Sequence, residues 1–195
     1  LAGGRSRRFG RDKMQLDWLG QALRDHVVSR MVELSDDVLV LVAHDDAGTV
    51  ADSPGVRYLR DTAEWPGPLV AVSHALGAAA HDVVLVVAGD MPVVPLRVLE
   101  LLGRSAASSG AAVVGLEVDG EIQQVPVAVS RLAASDEIRA LVQGGERRLG
   151  ALRDVAGAAA VPEPEWRNLD RNGDSLRDID TTDDLASLLR GPTDD

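Results

Sequence analysis

The sequence predicts an α/β fold in which a mostly parallel sheet is covered by helices on both faces. Three observations lead there. Val38-Leu-Val-Leu-Val42 and Val83-Val-Leu-Val-Val87 are unbroken aliphatic runs, the pattern of strands buried on both sides. Segments of helical period stand between such runs, joined by short polar loops. Apolar residues make up 45% of the chain and are dominated by Ala, Val and Leu, with Phe and Tyr once each. Small and branched side chains suit close-packed α/β layers better than an aromatic-rich sandwich.

The elements follow in order. Ala22, Val27, Val28, Met31 and Leu34 recur at helical spacing, which predicts a helix over Gln21–Leu34, broken by Asp36-Asp37. After the strand 38–42, the polar stretch from Ala43 to Gly55 reads as a loop and Val56–Leu59 as a short strand ending at Arg60-Asp61. Trp65-Pro-Gly-Pro68 is a stiff turn, followed by a small-residue helix over Leu69–Ala80. The strand at 83–87 stops at Ala88-Gly-Asp-Met-Pro92, and a helix over Pro95–Ala107 carries Leu96, Leu99, Leu101 and Leu102 on its apolar side. In the second half, Ala112–Val118 and Val125–Val129 read as strands parted by Asp119-Gly120, and Leu132–Val142 and Arg147–Val155 as helices. Ala158–Val161 reads as a strand, Pro162–Trp166 as extended chain, and Leu176–Ile179 as the last strand. Thr181 or Thr182 then caps a final helix ending at Gly191.

Composition excludes several classes. At 195 residues the chain suits one domain, 1–195, with 191–195 as a frayed tail. The absence of cysteine removes disulfides, thiolate metal sites and cysteine nucleophiles. No apolar run approaches the roughly 20 residues of a membrane span, and no signal peptide is visible, so a cytoplasmic protein without a membrane partner is expected. A net charge of −11 argues against nucleic acid as a partner.

Against that acidic background, the first thirteen residues reverse the sign. Leu1-Ala-Gly-Gly-Arg-Ser-Arg-Arg-Phe-Gly-Arg-Asp-Lys13 holds four arginines, one lysine and three glycines. Glycines let backbone N–H groups approach a ligand closely, and such a turn makes a concave anion site that Arg5, Arg7, Arg8, Arg11 and Lys13 would surround. A flexible, solvated basic terminus is the plainer alternative. The spacing fits neither the Walker pattern nor Gly-x-Gly-x-x-Gly. At the other end of the chemistry, Asp61, Asp90 and Asp180 stand where strands end, the edge at which open α/β sheets bind ligands. Asp90, after Gly89, is placed to hold Mg²⁺ together with substrate phosphates. An ordinary Asp-Gly-Pro turn is equally compatible with its position.

The opening stretch resembles the signature L-A-G-G-x-S-x-R-M-G-x-D-K of the molybdenum-cofactor nucleotidyltransferase family. Leu1, Ala2, Gly3, Gly4, Ser6, Arg8, Gly10, Asp12 and Lys13 match, and Phe9 replaces the methionine. Gly89-Asp-Met-Pro92 resembles the family's G-D-M/T-P, and Gly67-Pro-Leu69, preceded by Asp61, its G-P-L-A-G turn. Asp178-Ile-Asp-Thr-Thr-Asp-Asp-Leu185 resembles its closing N-I-N-T-P-E-D-L. This resemblance implies a Rossmann-like, three-layer GT-A-type nucleotidyltransferase fold in which Leu1 ends the first strand, a few residues of which would lie upstream. It implies nucleotide contacts from Leu1, Ala2, Gly3, Gly4, Lys13, Asp61 and Asp90, catalytic roles for Arg8, Lys13 and Asp90, and Mg²⁺ held by Asp90 and Asp180. Leu-Ala-Gly-Gly points to the guanylyl branch, with GTP and molybdopterin as substrates. A cytidylyltransferase, another enzyme with a phosphorylated small-molecule acceptor, or a regulatory nucleotide-binding domain are the alternatives.

The chain departs from the family in three places. Asp180 stands where many members have asparagine, Ala43-His44 replaces an asparagine after the second strand, and Gln123-Gln-Val-Pro126 lacks the histidine of an H-P-L segment. If Asp90 and Asp180 converge, they should repel each other when no cation is present, so Asp90→Asn is expected to melt no lower than the parent. His26 and His81 read as surface or satisfied residues, and His74 as a residue of the small-residue helix near the Gly67-Pro68 turn, with a ligand role as the lesser alternative. Trp18, Trp65 and Trp166 read as packing anchors, and Arg147-Arg148 as a helix cap or solvated pair, with contact to a substrate phosphate as the alternative.

Overall fold

The computed structural model describes residues 1–3, 13–44, 53–61 and 67–190. A two-residue hairpin, β1 (Asp17–Trp18) and β2 (Gln21–Ala22), precedes helix α1 (Leu23–Met31). Then come β3 (Val38–Val42), β4 (Val56–Arg60), α2 (Pro68–Ala78), β5 (Val83–Val86) and α3 (Leu96–Ser109). The second half contributes β6 (Val113–Val118), β7 (Glu121–Ser130), α4 (Arg131–Gln143), β8 (Ala158–Val161), α5 (Glu163–Arg167) and α6 (Thr182–Arg190).

β3 and β4 pair in parallel, and a four-stranded sheet runs β5-β7-β6-β8. β7 is antiparallel to both neighbours, while β6 and β8 are parallel. The reversal follows from the Asp119-Gly120 turn, whose two residues both have positive φ (50° and 80°) and send β7 straight back along β6. Leu1 and Ala2 join the two sheets. Leu1 N donates to Val87 O at 2.7 Å, Gly89 N to Leu1 O at 2.8 Å, and Ala2 N to Leu41 O at 2.8 Å. These bonds set Leu1–Ala2 between the carboxyl ends of β3 and β5. A cavity of about 590 Å³ continues that line between the two strands, walled by Val27, Met31, Leu39, Leu41, Val84 and Val86 among others.

Alternation along the strands splits the core into two layers, as a sheet covered on both faces requires. Val114 and Ala128 face the cluster of Val98, Leu99, Leu102 and Trp166, while Val113, Val127 and Val129 face Leu69, Val72, Leu76 and Ile138. Helices α1, α3 and α5 thus cover one face, and α2 and α4 the other.

Four expectations about elements need correction. The segment 149–154 is a 3₁₀ helix rather than an α-helix; Leu149, Ala151 and Leu152 tuck against α2 and α4, a spacing that suits tight turns. Pro162–Trp166 is not extended, because Pro162 caps α5 and Trp166, fully buried, donates its indole N–H to Glu117 O at 2.9 Å. Leu176–Ile179 pairs with no strand among the described residues. It follows a 3₁₀ turn at Asp174–Leu176, and Ile179 N bonds to Asp90 O instead. The first helix also begins two residues later than its apolar spacing suggests, since Leu19 (φ 52°) and Gly20 (φ 88°) turn the β1–β2 hairpin ahead of it.

Candidate active site

The carboxyl ends of β3 and β5, with Leu1–Gly3 between them, form one edge of the sheet. Gly89 brings the chain there. A Cβ on it would lie 2.9 Å from Met14 Sδ and 3.1 Å from Leu1 O, so only glycine permits this approach. Asp90 follows directly. A Cβ at Gly3 would stand 3.2 Å from Ala43 N, so the backbone there is equally close to the end of β3.

Lys13 begins a 3₁₀ turn (Lys13–Gln15) anchored by buried Met14. Its ammonium forms an ion pair with Asp90 Oδ2 and a second with Asp180 Oδ1 at 3.2 Å, and donates to Ile179 O at 3.4 Å. Burial works against the charged lysine, but hydrogen bonds and charge from Asp90, and then Asp180, outweigh it and raise its pKa.

Asp180 is held from behind. The side chain of Asp184, in the first turn of α6, accepts from Asp180 N (3.0 Å), Thr181 N (2.7 Å) and Thr181 Oγ1 (2.8 Å). Thr181 Oγ1 in turn accepts from Asp184 N at 3.1 Å, so the expected threonine cap is Thr181. Ile179, fully buried against Trp18 and Leu23, fixes the segment from the inside.

A third carboxylate joins the pair. One oxygen from each of Asp90, Asp178 and Asp180 lies within 4.8 Å of the others. Burial first, then the charges of Asp180 and Asp90, push the Asp178 carboxyl above its usual range. Asp90 Oδ1 is buried with no hydrogen-bond partner among the described residues. An orphaned carboxylate oxygen beside two further carboxylates fits a hard, oxygen-seeking cation such as Mg²⁺.

Asp61 sits at the end of β4, its N–H bonded to Val42 O at 3.1 Å, outside the carboxylate cluster. Burial raises its pKa, partly offset by His74. Gly67 has φ 95° and sits so close to Arg147 that a Cβ would be 2.8 Å from Arg147 Cβ; Leu69 N bonds to Arg147 O at 3.2 Å. The Gly-Pro-Leu turn is therefore seated on the loop after α4. Arg147 caps that helix through Val142 O at 2.8 Å, and exposed Arg148 pairs with Glu146. Gly4 and Arg8, with the rest of residues 4–12, lie outside the described residues, as does Trp65.

The sequence of the MobA-like NTP transferase domain family matches this chain over residues 1–159. The chain belongs to that family. It is a nucleotidyltransferase. A protein of Mycobacterium tuberculosis (strain ATCC 25618 / H37Rv) named probable molybdenum cofactor guanylyltransferase is 36% identical over 174 residues, 87% of this chain and 84% of its own length. A protein of the same name from Mycolicibacterium paratuberculosis is 33% identical over 195 residues, covering 97% and 93%. The crystal structure of molybdopterin-guanine dinucleotide biosynthesis protein A from Archaeoglobus fulgidus superposes with a TM-score of 0.77 at 22% identity, covering 95% of this chain and 93% of that one. The 2-C-methyl-D-erythritol 4-phosphate cytidylyltransferase of Thermus thermophilus shares the fold as well, with a TM-score of 0.68 at 19% identity over 94% and 96%.

Outside the stretch 1–159 that matches the MobA-like family, Asp178 is the residue that sequence reasoning passed over. The signal was present. Two carboxylates flanking one buried isoleucine in extended chain point to the same side, so Asp178 accompanies Asp180 wherever Ile179 faces the core.

Proposed function

We propose that the chain works as a single cytoplasmic domain that transfers GMP from GTP to the phosphate of molybdopterin, with Mg²⁺ and with release of pyrophosphate. The observation that supports this most is the meeting of Lys13 with Asp90, Asp178 and Asp180 beside the Leu1–Gly3 backbone. A lysine among carboxylates at a sheet's ligand edge suits a substrate that carries both phosphates and a divalent cation. The names of the mycobacterial relatives supply guanylyl as the group transferred.

In the reaction an oxygen of the acceptor phosphate bonds to the α-phosphorus of GTP. The bond from that phosphorus to the bridging α–β oxygen breaks in line, and pyrophosphate leaves with the electron pair. The backbone N–H groups of Gly3 and Gly4 would orient the phosphates, and Lys13 and Arg8 would offset charge on the triphosphate and on the leaving pyrophosphate. Asp61 and the Leu1–Ala2 backbone would position the nucleoside. Asp90, Asp180 and now Asp178 would hold Mg²⁺, which when bound neutralises phosphoryl oxygens. The acidic chain is not expected to bind nucleic acid. No helix among the described residues is long and apolar enough to cross a membrane.

Pyrophosphate release with molybdopterin and GTP, CTP or ATP in Mg²⁺, alongside calorimetric titration of each nucleotide, tests the reading. GTP should bind more tightly than CTP and support turnover. Equal affinity for GTP and CTP would overturn the guanylyl assignment and leave the nucleotidyltransferase standing.

A further inference from the structure

We propose that the Lys13 ammonium is the resident cation of the Asp90–Asp178–Asp180 cluster, so that divalent metal binds this site weakly until nucleotide arrives. The inference rests on the metal-site reading above and adds an order of binding to it. Among its contacts with the described residues, the ammonium faces oxygens of two separate segments: Asp90 Oδ2, Asp180 Oδ1 (3.2 Å) and Ile179 O (3.4 Å). It stands against two of the three carboxylates that would hold the metal. Lys13 and Asp90 are largely buried, their side chains 17% and 15% exposed, so water screens the arrangement weakly.

A divalent cation drawn to Asp90 Oδ1, unpartnered among the described residues, would stand beside the ammonium on Asp90 Oδ2. Both would sit within a few ångströms of the same carboxylates and repel each other at close range. Without nucleotide, the metal either bears that repulsion or displaces Lys13 into solvent at the expense of its ion pairs. A triphosphate changes the exchange. Its oxygens offer the lysine a second anionic partner, and a flexible stem carrying a compact charge can swing between two such partners. The carboxylates are then free for the metal that arrives with the phosphates. Apparent metal affinity in the nucleotide-free protein is lowered by the fraction of molecules in which Lys13 is in place.

Manganese binding followed by electron paramagnetic resonance at neutral pH reads this without turnover. Lys13→Met and Lys13→Gln remove the charge, and Lys13→Arg keeps it. Both neutral variants should bind Mn²⁺ without nucleotide at least about tenfold more tightly than the parent, which corresponds to a lysine in place nine times in ten. Lys13→Arg should stay as weak as the parent. The parent should gain Mn²⁺ affinity when a non-hydrolysable GTP analogue is added. Circular dichroism confirms that each variant is folded, and either neutral variant suffices for the comparison. Equal nucleotide-free Mn²⁺ affinity in the parent and a folded neutral variant would overturn the proposal. If no protein binds Mn²⁺ even with the analogue, the metal site itself is refuted, and the resident-cation role with it.

Discussion

Ile179 N donates a hydrogen bond to Asp90 O at 2.9 Å. That bond ties a segment near the end of the chain to the loop after β5, and it sets Asp178 and Asp180 on either side of a residue locked to Asp90. The Ile179 side chain is fully buried with Trp18 and Leu23. Ile179→Ala should destabilise the protein by about 2–4 kcal/mol through the cavity it leaves. It should also lower turnover more than GTP affinity, because both carboxylates lose their register with Asp90. Urea denaturation and steady-state kinetics measure the two effects, and a stability loss with normal kcat would show that the site does not depend on this contact.

Gly89→Ala should damage the site without touching any charged group. The new Cβ meets Met14 Sδ at 2.9 Å, which can swing away, and Leu1 O at 3.1 Å, a backbone atom already held by the Gly89 N–H, which cannot. The expected result is a lower melting temperature and weakened nucleotide binding together. A melting temperature equal to the parent's would mean that the Leu1–Gly89 pairing yields at little cost.

Lys13→Ala should cut turnover by about 10²–10³-fold, the usual effect of removing one stabilising group from a charged transition state. The fold should persist, since the lysine starts a short 3₁₀ turn held by Met14 rather than by its own side chain. Near-normal turnover in a folded variant would remove Lys13 from the catalytic machinery.

Asp90→Asn revises what the sequence led one to expect. Repulsion between Asp90 and Asp180 alone would let the variant melt no lower than the parent. The structure places the Lys13 ammonium between them, so removing Asp90 also removes an ion pair. The metal-free melting point should fall, because one partner of a largely buried ion pair loses its charge. The larger effect lies with ligand. At 100 times its Kd, GTP with Mg²⁺ should stabilise the parent by about 2.7 kcal/mol, and the variant should lose most of that rise. A thermal-shift assay that shows the full rise in the variant would contradict a metal role for Asp90.

Asp37 supplies a pH-dependent element far from the chemistry. Its carboxylate accepts from Arg57 Nε (2.8 Å) and Nη2 (2.6 Å), and from Ala80 N (2.8 Å), pinning β4 and the end of α2 to the start of β3. Burial works against its charge, but the Ala80 N–H and Arg57 outweigh it and hold the pKa below the usual range. A depressed folded-state pKa means that the stabilisation is complete above the unfolded value of about 3.9 and is lost as pH falls through the folded value. Asp37→Asn should therefore lower the urea midpoint by a constant amount from pH 5 to 7, and the gap should close below pH 4. A gap that stays constant into acid would assign the effect to shape rather than charge.

Much of this molecule is determined by local sequence. The aliphatic runs at 38–42 and 83–87 hold strands as their pattern suggests, although Val83, Val84 and Leu85 are only partly buried because they line the cavity between β3 and β5. Gly67 and Gly89 mark places where the backbone passes too near Arg147 and Leu1 for any Cβ. The carboxylates at strand ends, Asp61 and Asp90, were legible for the same reason, since a strand's end is set by its own pattern. Tertiary structure decided the rest. Leu176–Ile179 carries strand-like residues yet pairs with no strand among the described residues, because Ile179 finds its partner at Asp90, 89 residues earlier, and no local pattern encodes that meeting. Asp178 became a site residue through the same contact. The sequence could name a lysine and several aspartates as chemically apt. Only the packing of buried Ile179 against Trp18 and Leu23 brings Asp90, Asp178, Asp180 and Lys13 to one place, since convergence of distant segments is set by the core they share.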